Sequence, residues 1–255
     1  MQNFVKVGDM LDVKTVVCCK CNKDIEILEK FAPAGDYICA ECTPVECEPN
    51  EYNEAREKEH KILKALRESG YRKRNLVQTF DNFVPPNAKA KAIVDNIKQY
   101  KPSSGKWLFM IGKTGTGKDH LACAIGRQYL EANARHTVLA GTMQSITRIY
   151  RDNAFGEYRN ETGAFDDIAR VGLLIIRDAG VKTLTDAERG LIVDVLDARY
   201  DENLPVIVTG NFAPDSMSKV FDERVTDRLR EVAYYINGSP VATCDWESYR
   251  REGKI

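Results

Sequence analysis

MIGKTGTGKDHLA, residues 110–122, decides the fold of this 255-residue chain. The apolar run WLFMI (107–111) reads as a short buried strand entering the glycines Gly112, Gly115 and Gly117. DHLACAIGRQYLEAN, directly after them, has helical spacing. Such glycines let backbone N–H groups converge on phosphate oxygens, and the start of the helix adds positive potential. In isolation the cluster reads equally as a glycine-rich helix cap; placed between a strand and a helix it reads as a phosphate cradle. Gly112, Lys113, Thr114, Gly115, Thr116, Gly117, Lys118, Asp119 and His120 are then the expected nucleotide-binding residues. Lys118 would bridge the β- and γ-phosphates. The next position normally carries a serine or threonine whose hydroxyl helps to hold magnesium, and here it is Asp119. ATP or ADP with Mg2+ is the expected ligand.

Outward from this loop the pattern keeps alternating. TVLAG (137–141), VGLLII (171–176) and LPVIVTGN (204–211) read as strands, and ERGLIVDVLDARYDEN reads as a helix between the last two. Strands alternating with helices indicate an α/β domain with a parallel sheet covered on both faces. It is expected to occupy residues 75–255. Before it, EYNEAREKEHKILKALRESGYRKR (51–74) reads as a charged connecting helix ending near Gly70, with a thin apolar stripe at Ile62, Leu66 and Leu63. The basic run Arg72, Lys73, Arg74 follows it.

Bulk properties narrow the class. The chain is 43% hydrophobic and 29% charged, which suits one sizeable globular domain plus a smaller module. A net charge of -1 gives no overall attraction to nucleic acid, so any such contact must come from a local patch. No apolar run approaches a membrane span, and the first residues, MQNFVKVGDMLDVK, lack the apolar stretch of a signal peptide. The expected location is the cytoplasm, with no membrane partner.

Six of the eight cysteines fall between Cys18 and Cys47. Cys18 and Cys21 form one C-x2-C pair and Cys39 and Cys42 another, with 17 residues between the pairs. In a reducing compartment this spacing fits a Zn2+ ion held by four thiolates. Cys19 is an alternative to Cys18, and Cys47 a spare ligand. Four thiolates leave no open position for a substrate, so the expected module, residues 1–50, is a structural docking element. Isolated Cys123 and Cys244 read as small core residues.

A second acidic element is expected at the tip of another buried strand. LLIIRDAG (173–180) has the strand but offers a single carboxylate, Asp178, preceded by Arg177. Asp178 is a candidate for either a metal ligand or a water-polarising base.

Together, IGKTGTGKDHLACAI, GLLIIRDAG, DERVTDRLRE and DWESYRREGKI resemble the DnaC-type helicase loaders, AAA+ ATPases grouped with the IstB-type transposition helpers. ESGYRKRNLVQTFDNF (68–83) is similar to that family's entry into the ATPase domain. The likeness covers about residues 68–251, and a zinc-binding amino-terminal domain is similar to what DnaI-type loaders carry. The resemblance implies a P-loop AAA+ three-layer αβα domain that ends without the helical lid of larger relatives. It aligns Gly180 with the family's Asp-Glu-x-Gly, so that Arg177 stands at the metal-binding aspartate and Asp178 at the glutamate. Asn211 matches a polar sensor of the γ-phosphate, Arg224 an arginine finger acting on a neighbouring subunit, and Arg228 a second γ-phosphate sensor. A carboxylate gained at position 119 offsets the one lost at 177. One reading lets Arg177 pair with Asp119 or with phosphate; the other gives slow hydrolysis from a degenerate Walker B segment.

Between the second and third strands, RIYRDNAFGEYRNETGAF (148–165) interleaves Arg148, Arg151 and Arg159 with Tyr150, Phe155 and Tyr158. Aromatic faces stack bases while arginines track phosphates, as in single-strand binders; the same pattern also suits an amphipathic helix with buried aromatics. The resemblance implies an ATP-dependent loader that delivers the replicative DNA helicase to single-stranded DNA and self-assembles through Arg224. An IstB-like transposition helper and a nucleotide-binding adaptor with little hydrolysis are the alternatives.

Overall fold

The computed structural model describes residues 13–18, 23–28, 51–133, 135–155, 160–181 and 183–249. The chain divides into two compact units, Met1–Lys58 and Glu59–Ile255. In the first, strands β1 (Val13–Val17) and β2 (Asp24–Leu28) pair antiparallel, from Val13 opposite Leu28 to Val17 opposite Asp24. The Cys18 N–H donates to the Lys23 carbonyl at 2.9 Å and closes the hairpin. Cys18 is buried, whereas Cys21, Cys39 and Cys42 lie outside the described residues. Helix α1 (Glu51–Glu68) carries the boundary between the units.

The second unit is built on five parallel strands. In chain order its elements are α2 (Ala88–Gln99), β3 (Leu108–Gly112), α3 (Lys118–Ala132), β4 (Val138–Thr142), α4 (Met143–Ala154) and α5 (Glu161–Ala169). They continue with β5 (Leu173–Ala179), α6 (Asp186–Asp201), β6 (Val206–Gly210), α7 (Met217–Val220), α8 (Glu223–Val232) and β7 (Val241–Cys244). The sheet order is β4-β5-β6-β3-β7, and every neighbouring pair is parallel.

Both faces of this sheet are covered, which explains why its strands are continuous apolar runs. Side chains alternate between two cores because successive residues of a strand point to opposite faces. Leu108, Met110, Leu173 and Ile175 join one core with Ile93 and Ile97 of α2 and Leu121 and Ile125 of α3. Phe109, Ile111, Leu174 and Ile176 join the other, with Ile146 of α4, Ile168 of α5, Leu196 of α6 and Leu229 of α8. The result is the three-layer arrangement expected from the motifs.

The carboxy-terminal part of α1 belongs to the first of these cores. Ile62, Leu66 and Tyr71 are buried there, so the thin apolar stripe read as part of a connecting helix is a packing surface. Glu59 on the same helix pairs with Arg127 of α3. The helix stops where Gly70 takes φ 87°, a left-handed conformation that glycine adopts without strain. The Ser69 carbonyl accepts from the Ala140 N–H at 2.7 Å, so the following turn covers the outer edge of β4.

At the end of the sheet away from the glycine loop, Arg199 of α6 is fully buried and donates to the carbonyls of Ala169, Val171 and Pro205. Burial lowers its pKa to about 10, which leaves the guanidinium charged at neutral pH. It ties together the chain segments that lead into β5 and β6. Among the described residues no helix is long and apolar enough to cross a membrane.

Leu66 is 1% exposed. Leu66→Ala should destabilise the second unit by about 2–5 kcal/mol, read as a lowered urea midpoint with an unchanged slope. A change below about 0.5 kcal/mol would place α1 outside the core.

Candidate nucleotide-binding site

The helix behind the glycine loop starts without a side-chain cap, as does the four-residue α7. α2, α4, α5, α6 and α8 each begin with a side chain, from Asn87, Thr142, Asn160, Thr185 and Asp222 respectively, that accepts a first-turn N–H. α3 begins at Gly117 (φ 84°) with no side-chain cap. The dipole of α3 favours an anion at this start.

Two glycines are required by space as well as by dihedral angle. Gly112 has φ 128°, and a Cβ there would meet the Cys244 carbonyl oxygen at 2.3 Å. Gly117 has the Phe83 ring 2.4 Å from the place a Cβ would take. Inside the loop, Lys118 is 6% exposed, and its ammonium donates to the carbonyls of Gly112 (3.2 Å) and Lys113 (2.5 Å) and to the Thr116 hydroxyl (3.3 Å). The loop thus holds a buried cation with oxygen partners. Lys113 and Thr114 are exposed at its outer turn.

A collar of residues not foreseen from the sequence braces the loop from outside. The Trp246 indole N–H donates to the Thr116 carbonyl at 2.9 Å, and the Tyr249 N–H donates to the Gly115 carbonyl at 3.0 Å. Phe83 packs edge-on against both His120 and Tyr249. His120 Nε2 donates to the Thr79 carbonyl at 2.7 Å, and burial pulls its pKa below the usual histidine range. The only signal for these contacts was the aromatic content of TFDNF and DWESY.

Thr209, which no sequence motif marks, links the residue after Lys118 to the tip of β5. Asp119 Oδ1 accepts from the Thr209 hydroxyl at 2.6 Å, and the same oxygen of Thr209 accepts from the Asp178 N–H at 3.2 Å. Asp178 is exposed at the tip of β5, with φ 52° and a register shift against β6 between Ile176 and Ala179. Asn211 is exposed immediately past β6. Asp119, Asp178 and Asn211 are therefore gathered at one end of the sheet, around Thr209.

Arg177 does not pair with Asp119. The alternation of β5 sends its side chain to the core that holds α3, where it is 5% exposed. There it donates to the Asn75 Oδ1 at 3.3 Å and the Gly70 carbonyl at 3.4 Å, and its Nε has no hydrogen-bond partner. Nearby Cys123, like Cys244, is buried, which pushes both thiols up to about 12 and keeps them neutral. That agrees with reading both cysteines as core residues.

Arg224 and Arg228 gather elsewhere. Arg228 pairs with Asp197 of α6 and stacks 4.7 Å from the Tyr200 ring centroid. Arg224 is 64% exposed and lies 3.6 Å from Asp197 and 3.8 Å from Asp222. Neither contact involves the glycine loop. Just past α4, Phe155 is 75% exposed; on the helix Arg148 is exposed, whereas Tyr150 is partly buried against the core. Tyr158 and Arg159 lie outside the described residues.

A buried guanidinium with two long hydrogen bonds and no carboxylate partner is costly. Arg177→Met should leave stability unchanged or raise it by about 1–3 kcal/mol in urea unfolding. A loss of more than about 2 kcal/mol would show that the charge is compensated.

Comparison with known proteins places this geometry. Residues 48–254 match the family described as IstB-like ATP binding protein. The replicative helicase loader DnaC of Escherichia coli (strain K12) is 29% identical over 204 residues, spanning 77% of this chain and 80% of that protein. A crystal structure of the DnaC helicase loader superposes with a TM-score of 0.56 at 21% identity, over 68% of this chain and 99% of the other. The crystal structure of DnaI gives 0.51 at 19% identity, over 70% and 93%. The solved structures share the three-layer fold, and the matched span contains the glycine loop, Thr209 and the Trp246 brace. The chain belongs to the IstB-like ATP binding protein family.

Proposed function

We propose that this protein is an ATP-dependent loader that delivers a replicative DNA helicase to single-stranded DNA in the cytoplasm. The observation that carries this reading is the uncapped start of α3 behind a braced glycine loop, in a chain that aligns with DnaC over most of both lengths. Lys118 and the amides of residues 112–120 would grip the phosphates. The oxygen donors at this end of the sheet, Asp119 on α3 and Asp178 on β5, suit Mg2+, a hard cation that keeps several waters and binds through one or two carboxylates plus phosphate. When bound, it would neutralise phosphate charge. Asp178 would orient water and Asn211 would touch the γ-phosphate.

Arg224 is exposed enough to reach a neighbouring subunit's nucleotide, with Asp197 as its resting partner. Arg228, tied to Asp197 and Tyr200, would report on nucleotide through α8 rather than from beside the loop. Arg148 and Phe155 offer a cation and an aromatic face to a single strand. In the first unit, the C-x2-C spacing of Cys18 and Cys21 supports a zinc knuckle completed by Cys39 and Cys42. Among the described residues no group of three or more metal-ligating side chains occurs, so the zinc proposal rests on sequence spacing. The zinc module, with the charged start of α1, would grip the helicase.

ATP then works as a switch between assembly states, and its chemistry need not be fast. Full-length protein mixed with the replicative helicase should place it on a single strand only when ATP is present. Lys118→Ala should abolish this and weaken ATP binding at least tenfold, about 1.4 kcal/mol. Recovery of a transposase together with tight duplex binding would instead favour the transposition helper of the same family.

Hydrolysis is expected to be slow because the strand position that usually supplies a metal-binding carboxylate holds Arg177. Phosphate release by the wild-type protein should be slow under saturating ATP and magnesium. A wild type as fast as typical ATPases, at about 1 per second or above, would remove the slow-site reading.

A further inference from the structure

β6 lies between β3 and β5 in the sheet, so its last residues face both the start of α3 and the tip of β5. Thr209 there is 1% exposed. A hydroxyl has one proton to donate and two lone pairs to offer. Thr209 spends its proton on Asp119 Oδ1 at 2.6 Å, within the range of charge-assisted O–H···O bonds. One lone pair takes the Asp178 N–H at 3.2 Å. That amide needs a partner because the register shift between Ile176 and Ala179 takes Asp178 out of the ladder with β6. A single buried oxygen therefore links the carboxylate that follows the phosphate loop to the bulged acidic tip of β5.

The rest of the neighbourhood explains why such a link is needed here. Arg177 faces Asn75 and Gly70, so β5 presents no carboxylate at that position. The nearest acidic replacement, Asp119, sits on the first turn of α3, where an unrestrained carboxylate would have several rotamers. A hydrogen bond from a fully buried neighbour selects one of them, as residues behind a metal ligand commonly do.

We infer that Thr209 is a positioning residue for the divalent cation that accompanies nucleotide: it aims Asp119 and fixes the Asp178 bulge as one unit. This deepens the nucleotide-binding reading and rests on it. In consequence, the cation's contribution to nucleotide affinity depends on a hydroxyl that touches neither cation nor nucleotide.

The test compares ADP affinity, by calorimetry, in excess magnesium and in EDTA. Thr209→Val keeps the shape and removes the hydroxyl. It should lose about tenfold in affinity with magnesium and stay within about twofold of wild type in EDTA. Thr209→Ser, which restores the hydroxyl, should recover most of the magnesium effect. Asp119→Ala removes the acceptor without touching β6 and must show the same magnesium-selective loss, so the test stands even where the valine variant fails to fold.

An equal loss in magnesium and EDTA, an unchanged valine variant, no rescue by serine, or an Asp119→Ala protein with wild-type magnesium dependence would each overturn the assignment. So would a wild type whose affinity ignores magnesium. A wild type with no affinity for ADP in either buffer would overturn the nucleotide reading beneath it instead.

Discussion

Pairing of β3 with β6 on one side and β7 on the other holds the whole site in place. The strand that delivers the glycine loop is central, so its end cannot move without breaking two ladders. β6 brings Thr209 and Asn211 alongside, and β7 continues into the segment that contains Trp246. Helix α3 starts from this fixed point. In an open parallel sheet, ligands gather outside the carboxyl ends of strands whose connections run in opposite directions. Here β3 connects outward to β4 at one edge, while β6 connects past it to β7 at the other.

The chemistry of that crevice departs from the common P-loop pattern through exchanged charges. Asp119 stands where the glycine-loop motif usually carries a hydroxyl, and Arg177 directly precedes Asp178, the single carboxylate of β5. These two residues do not neutralise one another. Strand alternation carries the guanidinium into the layer of α3 and α1, while the carboxylate is held by Thr209 beneath the loop. The negative charge stays beside the tip of β5, joined to the Asp178 N–H through Thr209. The positive charge is withdrawn to the turn after α1, where it holds Asn75 and the Gly70 carbonyl. Tying β5 to the amino-terminal turn is thus the visible role of Arg177 in this structure.

Legibility in the sequence followed the range of the interactions. Strand positions were readable because burial on both faces gives apolar runs: VGLLII matches β5 within two or three residues at either end, and WLFMI matches β3 within one. The glycine loop was readable because its geometry is local and its residue types are restricted. The collar was not, since Phe83, Trp246 and Tyr249 reach the loop across chain separations that no local pattern encodes. The direction of the Arg177 side chain, and so its separation from Asp119, was hidden for a related reason. Alignment by Gly180 fixes its position along the strand, but only the pleat decides which layer receives the side chain. Thr209 escaped notice because a threonine at a strand end is unremarkable until its two partners are seen. The contribution of α1 was partly visible, as Ile62 and Leu66 are four residues apart and share a helix face.

The Trp246 brace lies 130 residues downstream of the carbonyl it holds. On a growing polypeptide, the glycine loop leaves the ribosome long before the indole that steadies it has been translated. Closing so distant a contact is slow compared with forming the adjacent helix. The loop's full set of contacts therefore forms only once the segment after β7 has been made, and a half-synthesised chain carries the glycines without the indole that braces them.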